Sequence, residues 1–101
     1  MDMQKMMKQA QEMQSKMEKK QEELKNETVE ASAGGGVVTV VVNGGQEVVN
    51  IDIDPEVLDP DDIEMLEDLV LAATNEAMNK AKDMMEQEMG QLTGGMNIPG
   101  M

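Results

Sequence analysis

Residues 28–54 read TVEASAGGGVVTVVVNGGQEVVNIDID, and their reading decides the fold. Val29, Ala31 and Ala33 alternate with Thr28, Glu30 and Ser32. Residues 37–42 are nearly all β-branched, and Val49, Ile51 and Ile53 alternate with Val48, Asn50 and Asp52. Successive side chains of an extended chain point to opposite faces, so this period-two pattern predicts strands. Gly34-Gly35-Gly36 and Asn43-Gly44-Gly45 separate the runs and supply the positive φ values that tight reversals need. The expectation is a three-stranded antiparallel meander. A two-residue loop at Gly44 and Gly45 sets Val40 opposite Val49 and Val38 opposite Ile51. It gathers Val38, Val40 and Val42 on one face with Val49, Ile51 and Ile53, whereas a three-residue loop turns the second set away. Val37 and Val41 then form a second apolar patch on the opposite face, which suggests another subunit or is simply an exposed valine pair.

Helical patterns flank this centre. From Met3 to Lys25, Met3, Ala10, Met17 and Leu24 recur every seven residues, with Met6 and Met13 at the companion positions and Lys20 interrupting that second series. No glycine or proline intervenes, and the stretch predicts a helix over 3–25. A second helix is expected over 60–89, with Asp59 as N-cap, Pro60 at the first helical position, acids in the first turn and Gly90 as the stop. Its apolar face holds Ile63, Leu66, Leu69, Val70, Ala73, Ala77, Ala81 and Met84. The architecture is α+β, α-β-β-β-α, in a single domain over 1–89, and residues 90–101 are expected to form a mobile Gly/Met/Pro tail. A helix of about 30 residues is roughly 45 Å long, whereas a seven-residue strand covers about 23 Å. Both helices therefore overhang the sheet, as arms projecting from a compact centre.

Composition narrows the function. The 101 residues contain no Phe, Tyr, Trp, Cys or His, but 13 Met. A core without aromatics buries less area per residue, which favours oligomerisation. The missing Cys and His remove disulfides, thiolate chemistry and the commonest general base and metal ligand. No run is long enough to span a bilayer and no signal-peptide core opens the chain, so a cytoplasmic protein without membrane association is expected. The formal charge is −13, yet residues 1–25 hold six of the eight lysines and five of the 21 acids.

On a helical wheel Lys5, Lys8, Lys16, Lys19 and Lys20 share an arc of roughly 120°, beside the methionine seam. This arc suits phosphate contacts, or it is a solvated face diluted by Glu12 and Glu23. The methionine stripe suits an adaptable partner surface, or plain core and dimer seam. Asp52, Asp54, Glu56, Asp59, Asp61 and Asp62 lack the order of a calcium loop and read as caps. The glycine clusters lack a phosphate-loop pattern and read as turns. Ser15 and Ser32 have no histidine to activate them, so no catalytic residue, metal site, cofactor or small-molecule substrate is expected.

The segments MMKQAQEMQ (6–14), IDIDP (51–55), MLEDLVLAATNEA (65–77) and GMNIPGM (95–101) together resemble the YbaB/EbfC family of bacterial nucleoid-associated proteins. The resemblance implies a homodimer shaped like tweezers that binds double-stranded DNA, alters its conformation and affects nucleoid organisation and gene expression. In the family, DNA contact is associated with the helical arms. Here that points to Lys5, Lys8, Lys16, Lys19 and Lys20 on the first helix and to Lys80 and Lys82 on the last. With so acidic a chain, binding should be weak and salt-sensitive. It should also show little sequence selectivity, because no arginine or aromatic side chain is present to read or stack on bases. The alternative is a protein-interaction scaffold whose Met-rich helices grip a partner without nucleic acid.

Overall fold

The structure, a computed structural model, describes residues 2–93. Helix α1 (Met3–Lys25) is followed by strands β1 (Thr28–Ala33), β2 (Val38–Asn43) and β3 (Val48–Ile53), a single 3-10 turn at Pro55–Val57, and helix α2 (Ile63–Thr93). The strands form one antiparallel sheet in the order β1-β2-β3, the α-β-β-β-α arrangement that the sequence predicts.

The core lies between the sheet and one helix. Val38, Val40 and Val42 of β2 and Ala31 of β1 are buried against Ala73, Ala77 and Ala81 of α2. An alanine at every fourth position puts small side chains on one line of the helix, so its backbone settles close over the valines. Each fully buried valine contributes about 1.5–3 kcal/mol. Helix α2 packs on β1 and β2, and β3 is left largely uncovered.

The β2–β3 register differs from the expected one. Val38 faces Ile53 and Val40 faces Ile51, two residues further along β3 than a two-residue loop would give. The loop has three residues: Asn43 N donates to Glu47 O at 2.9 Å, Gln46 N donates to Asn43 O at 3.0 Å, and Gln46 takes φ 65°. Asn43 Oδ1 fixes this turn by accepting from Gly45 N at 2.9 Å and Glu47 N at 3.0 Å. An odd loop alone would turn Ile51 and Ile53 to the wrong face. A bulge restores the parity: Val41 pairs with Asn50 while Val42 pairs with Val48, leaving Val49 over. Ile51 and Ile53 therefore share a face with Val38 and Val40, as expected, by a different route.

Glycine 44 serves a purpose the turn reading does not supply. Gly44 N donates to Leu24 O at 3.1 Å and to Glu27 O at 3.0 Å. A Cβ there would collide with the carbonyl oxygen of Leu24. The residue is glycine because the end of α1 sits on it. Leu24, fully buried, is the inner anchor of that helix.

Three further expectations are corrected. Helix α2 starts at Ile63, not Pro60, because Asp59 spends its carboxylate on a turn. Asp59 Oδ1 accepts from Asp61 N at 2.9 Å, and it is Asp62 Oδ1 that accepts at 3.3 Å from Met65 N, the third residue of the helix. Helix α2 also runs through Gly90 to Thr93, since a glycine with open space around it weakens a helix without ending it. The expected tail is thus helical over 90–93, and its remainder lies outside the described residues. Finally, Val37 and Val41 form no second apolar face. Val37 lies in the β1–β2 turn and packs against the core, which leaves Val41 among Thr39, Glu30 and Asn50.

Candidate nucleic-acid interface

Helix α1 is the candidate arm. Its 23 residues make a rod of about 35 Å, and the molecule measures 71 × 26 × 16 Å. Asp2 caps it, with Oδ1 accepting from Gln4 N at 3.1 Å. Every residue from Asp2 to Glu12 is exposed, Met13, Met17 and Lys20 are half-buried, and Leu24 is its only buried residue among the described residues. The heptad stripe therefore meets the rest of the fold at its inner end only.

The lysine arc divides once the tertiary contacts are seen. Lys5, Lys8, Lys16 and Lys19 are exposed and make no ion pair or side-chain hydrogen bond among the described residues. Lys20, nearest the apolar seam, lies 3.1 Å from Glu88 Oε2 of α2. The hydrogen bond to Glu88 and then that carboxylate's charge raise the Lys20 pKa above its ordinary 10.5, and Glu23 and Glu27 add to the rise. Lys25 pairs with Glu22 at 3.8 Å.

The α2 lysines do not join this row. Lys80 Nζ donates to the Glu30 carbonyl of β1 at 3.1 Å, so it clasps the sheet edge. Lys82 is exposed, and two positions along a helix turn it about 200° from Lys80. The structure thus brings four exposed lysines together on α1, pairs Lys20 of the same helix with Glu88, and places Lys80 and Lys82 on α2. Three of the clustered acids are occupied by backbone: Asp54 Oδ1 accepts from Glu56 N at 3.0 Å, and Asp59 and Asp62 act as described above.

One surface was missed by the sequence reading. Val48, Val49 and Ile51 on β3 are 42%, 52% and 46% exposed, and Leu71 on α2 is 60% exposed. Leu66, Val70, Leu71 and Thr74 line an open apolar trough on α2. Met78 O of α2 takes the Gln46 amide of the β2–β3 loop at 3.4 Å while Lys80 reaches β1, so the trough side of α2 turns toward β3. The available signal was Leu71, a large apolar residue standing off the helix's apolar arc.

A small α+β body with a protruding, lysine-bearing helix is the class of molecule that fold and site define. The family model for the YbaB/EbfC DNA-binding family matches residues 1–96. A nucleoid-associated protein of Pelotomaculum thermopropionicum is 61% identical over 100 residues, covering 99% of this chain and 95% of that protein. One from Alkaliphilus metalliredigens is 59% identical over 100 residues, covering 99% and 88%. The crystal structure of the uncharacterized protein HP0035 from Helicobacter pylori is similar, with a TM-score of 0.64 at 25% identity, covering 86% of this chain and 96% of that one. The chain belongs to the YbaB/EbfC DNA-binding family.

Proposed function

We propose that this is a non-enzymatic, nucleoid-associated protein that binds double-stranded DNA as a homodimer, with little sequence selectivity, through the lysine row of α1. The observation that carries the reading is the set of four lysines on an exposed arm that have no partner among the described residues, in a chain of this family. Lys5 and Lys8 form one pair and Lys16 and Lys19 another. Lys8 and Lys16 are about 12 Å apart along the helix, comparable with the width of the major groove of B-DNA. Such an arm can set one pair on each phosphate ridge. Lysine neutralises phosphates as a point charge and carries no base readout. The acidic body repels the duplex, so only the arms approach it. Lys20, Lys80 and Lys82 contribute less, being paired, clasped to β1 or turned aside.

The uncovered apolar surface of β3 and α2 supports the dimer. A second copy placed there would extend a small core of valines, alanines and one leucine, which among the described residues has eight buried apolar side chains. Two arms held by one body can grip separate stretches of duplex and alter its path, the basis for effects on nucleoid organisation and gene expression. A gel shift tests the reading. The wild-type chain retards a duplex at low salt, and Lys8→Glu with Lys16→Glu abolishes the shift. An unchanged shift would remove the arms from the account.

A further inference from the structure

Asn43-Gly44 is the chain's single Asn-Gly pair. Asparagine is a thermally labile residue, and one followed by glycine is the most prone to lose its amide, because no Cβ hinders approach of the next backbone nitrogen. We infer that Asn43 is a modification site of this fold. It converts to aspartate or isoaspartate through a cyclic imide, the seated end of α1 keeps the reaction shut, and undocking of α1 opens it. The inference does not rest on DNA contact.

The chemistry needs no partner beyond water. Gly44 N loses its proton to solvent base and attacks Asn43 Cγ. A Cγ–N bond forms, the Cγ–Nδ2 bond breaks, and the leaving nitrogen takes a proton from water and departs as ammonia. Water then opens the five-membered imide at either carbonyl, which gives aspartate or an isoaspartyl linkage at position 43.

The fold activates one reactant and withholds the other. Asn43 Oδ1 accepts from Gly45 N at 2.9 Å and from Glu47 N at 3.0 Å, two donors that stabilise the charge an attacked carboxamide places on that oxygen. The nucleophile is blocked from the side of α1. Gly44 is buried, and its N–H donates to Leu24 O at 3.1 Å and to Glu27 O at 3.0 Å, so solvent base cannot reach the proton. Asn43 ends β2 and pairs with Thr28, and the imide ring closes only if its Cα–C bond rotates out of the extended range. Leu24, Glu27 and Thr28 all lie at the end of α1 or just after it, so one movement releases every restraint. That end is lightly held. Leu24 is the only buried residue of α1 among the described residues, and the Lys20–Glu88 pair is exposed enough for water to screen it. Lifting α1 therefore takes less than unfolding the core between α2 and the sheet. The isoaspartyl product adds a methylene to the backbone at position 43, which moves Gly44 from beneath Leu24 and keeps α1 off.

The full chain is incubated in mildly alkaline buffer, and the peptide spanning 43–44 is followed by chromatography and mass spectrometry. The folded chain should react at least about tenfold more slowly than the chain unfolded in urea. Leu24→Ala should raise the folded-state rate at least about tenfold. Val38→Ala, which loosens the core at the far end of β2, should leave that rate within about twofold of wild type. Lifting one helix end exposes little surface, so the wild-type rate should also stay within about twofold across urea concentrations below the unfolding transition. Reaction of the folded chain as fast as the unfolded one would overturn the inference. So would no acceleration in Leu24→Ala, or equal acceleration in both variants. A wild-type rate that climbs with the globally unfolded fraction would overturn it without any variant having to fold.

Discussion

Replacing Lys8 and Lys16 by glutamine removes two of the four exposed lysines in the row on each arm, and its effect on salt dependence can be worked out beforehand. Neutralising Z phosphates gives log K against log salt a slope of about −0.9Z, so four contacts give about −3.6 for one arm and about −7 for two. Raising salt from about 50 to about 200 mM then weakens binding roughly 150-fold if one arm engages, and roughly 20,000-fold if both do. The double variant halves the slope, to about −1.8 or about −3.6 respectively. Fluorescence anisotropy of a labelled duplex, titrated at several potassium chloride concentrations, yields both slopes. The wild-type value also counts the arms engaged. Glutamine keeps the helix propensity of lysine and both sites are exposed, so circular dichroism should be unchanged. A slope equal to wild type in the double variant would refute the assignment. A loss of slope seen instead with Lys82→Gln would move the contact to α2.

Other perturbations test the framework that holds the arm. Gly44→Ala drives a Cβ into the Leu24 carbonyl and should cost roughly 2–3 kcal/mol, a fall in Tm of roughly 10–20 °C; a stability within about 0.5 kcal/mol of wild type would show that α1 does not depend on this seat. Ala77→Leu overfills the helix–sheet contact and should cost roughly 1–3 kcal/mol, whereas Ala72→Leu on the exposed side should stay within about 0.5 kcal/mol; equal losses in chemical denaturation would contradict the packing. Ile51→Lys puts a charge on the proposed subunit contact and should weaken the dimer at least about a hundredfold, read by sedimentation equilibrium; an unchanged mass would place the contact elsewhere. Because Glu88 raises the Lys20 pKa, their contact stabilises the fold fully below the ordinary value of 10.5 and loses that effect as pH rises through the raised value. Glu88→Gln should bring the Lys20 titration down, followed by the NMR shift of its side chain, and an unmoved titration would break the link.

The sequence by itself determined the elements. Alternation over 28–54, the heptad stripe of α1 and the alanine line of α2 are local patterns that each restrict one segment's conformation, so they can be read in isolation. Their order dictates a meander between two helices, and the lysine arc follows from helical geometry alone. Competition between equivalent groups was settled only by the tertiary structure. Asp59 and Asp62 are both good caps, and the loop after β3 chose the second. Gly44 and Gln46 both lie in the reversal, and Gln46 took the positive φ. The turn and its compensating bulge trade against each other without changing which residues face inward, so alternation cannot tell them apart. Which lysines stay available is likewise a long-range matter. Lys20 is taken by Glu88 and Lys80 by the Glu30 carbonyl, partners that lie far from them in the sequence. A charge's position on a helix is local, but what neutralises it is whatever folding brings alongside.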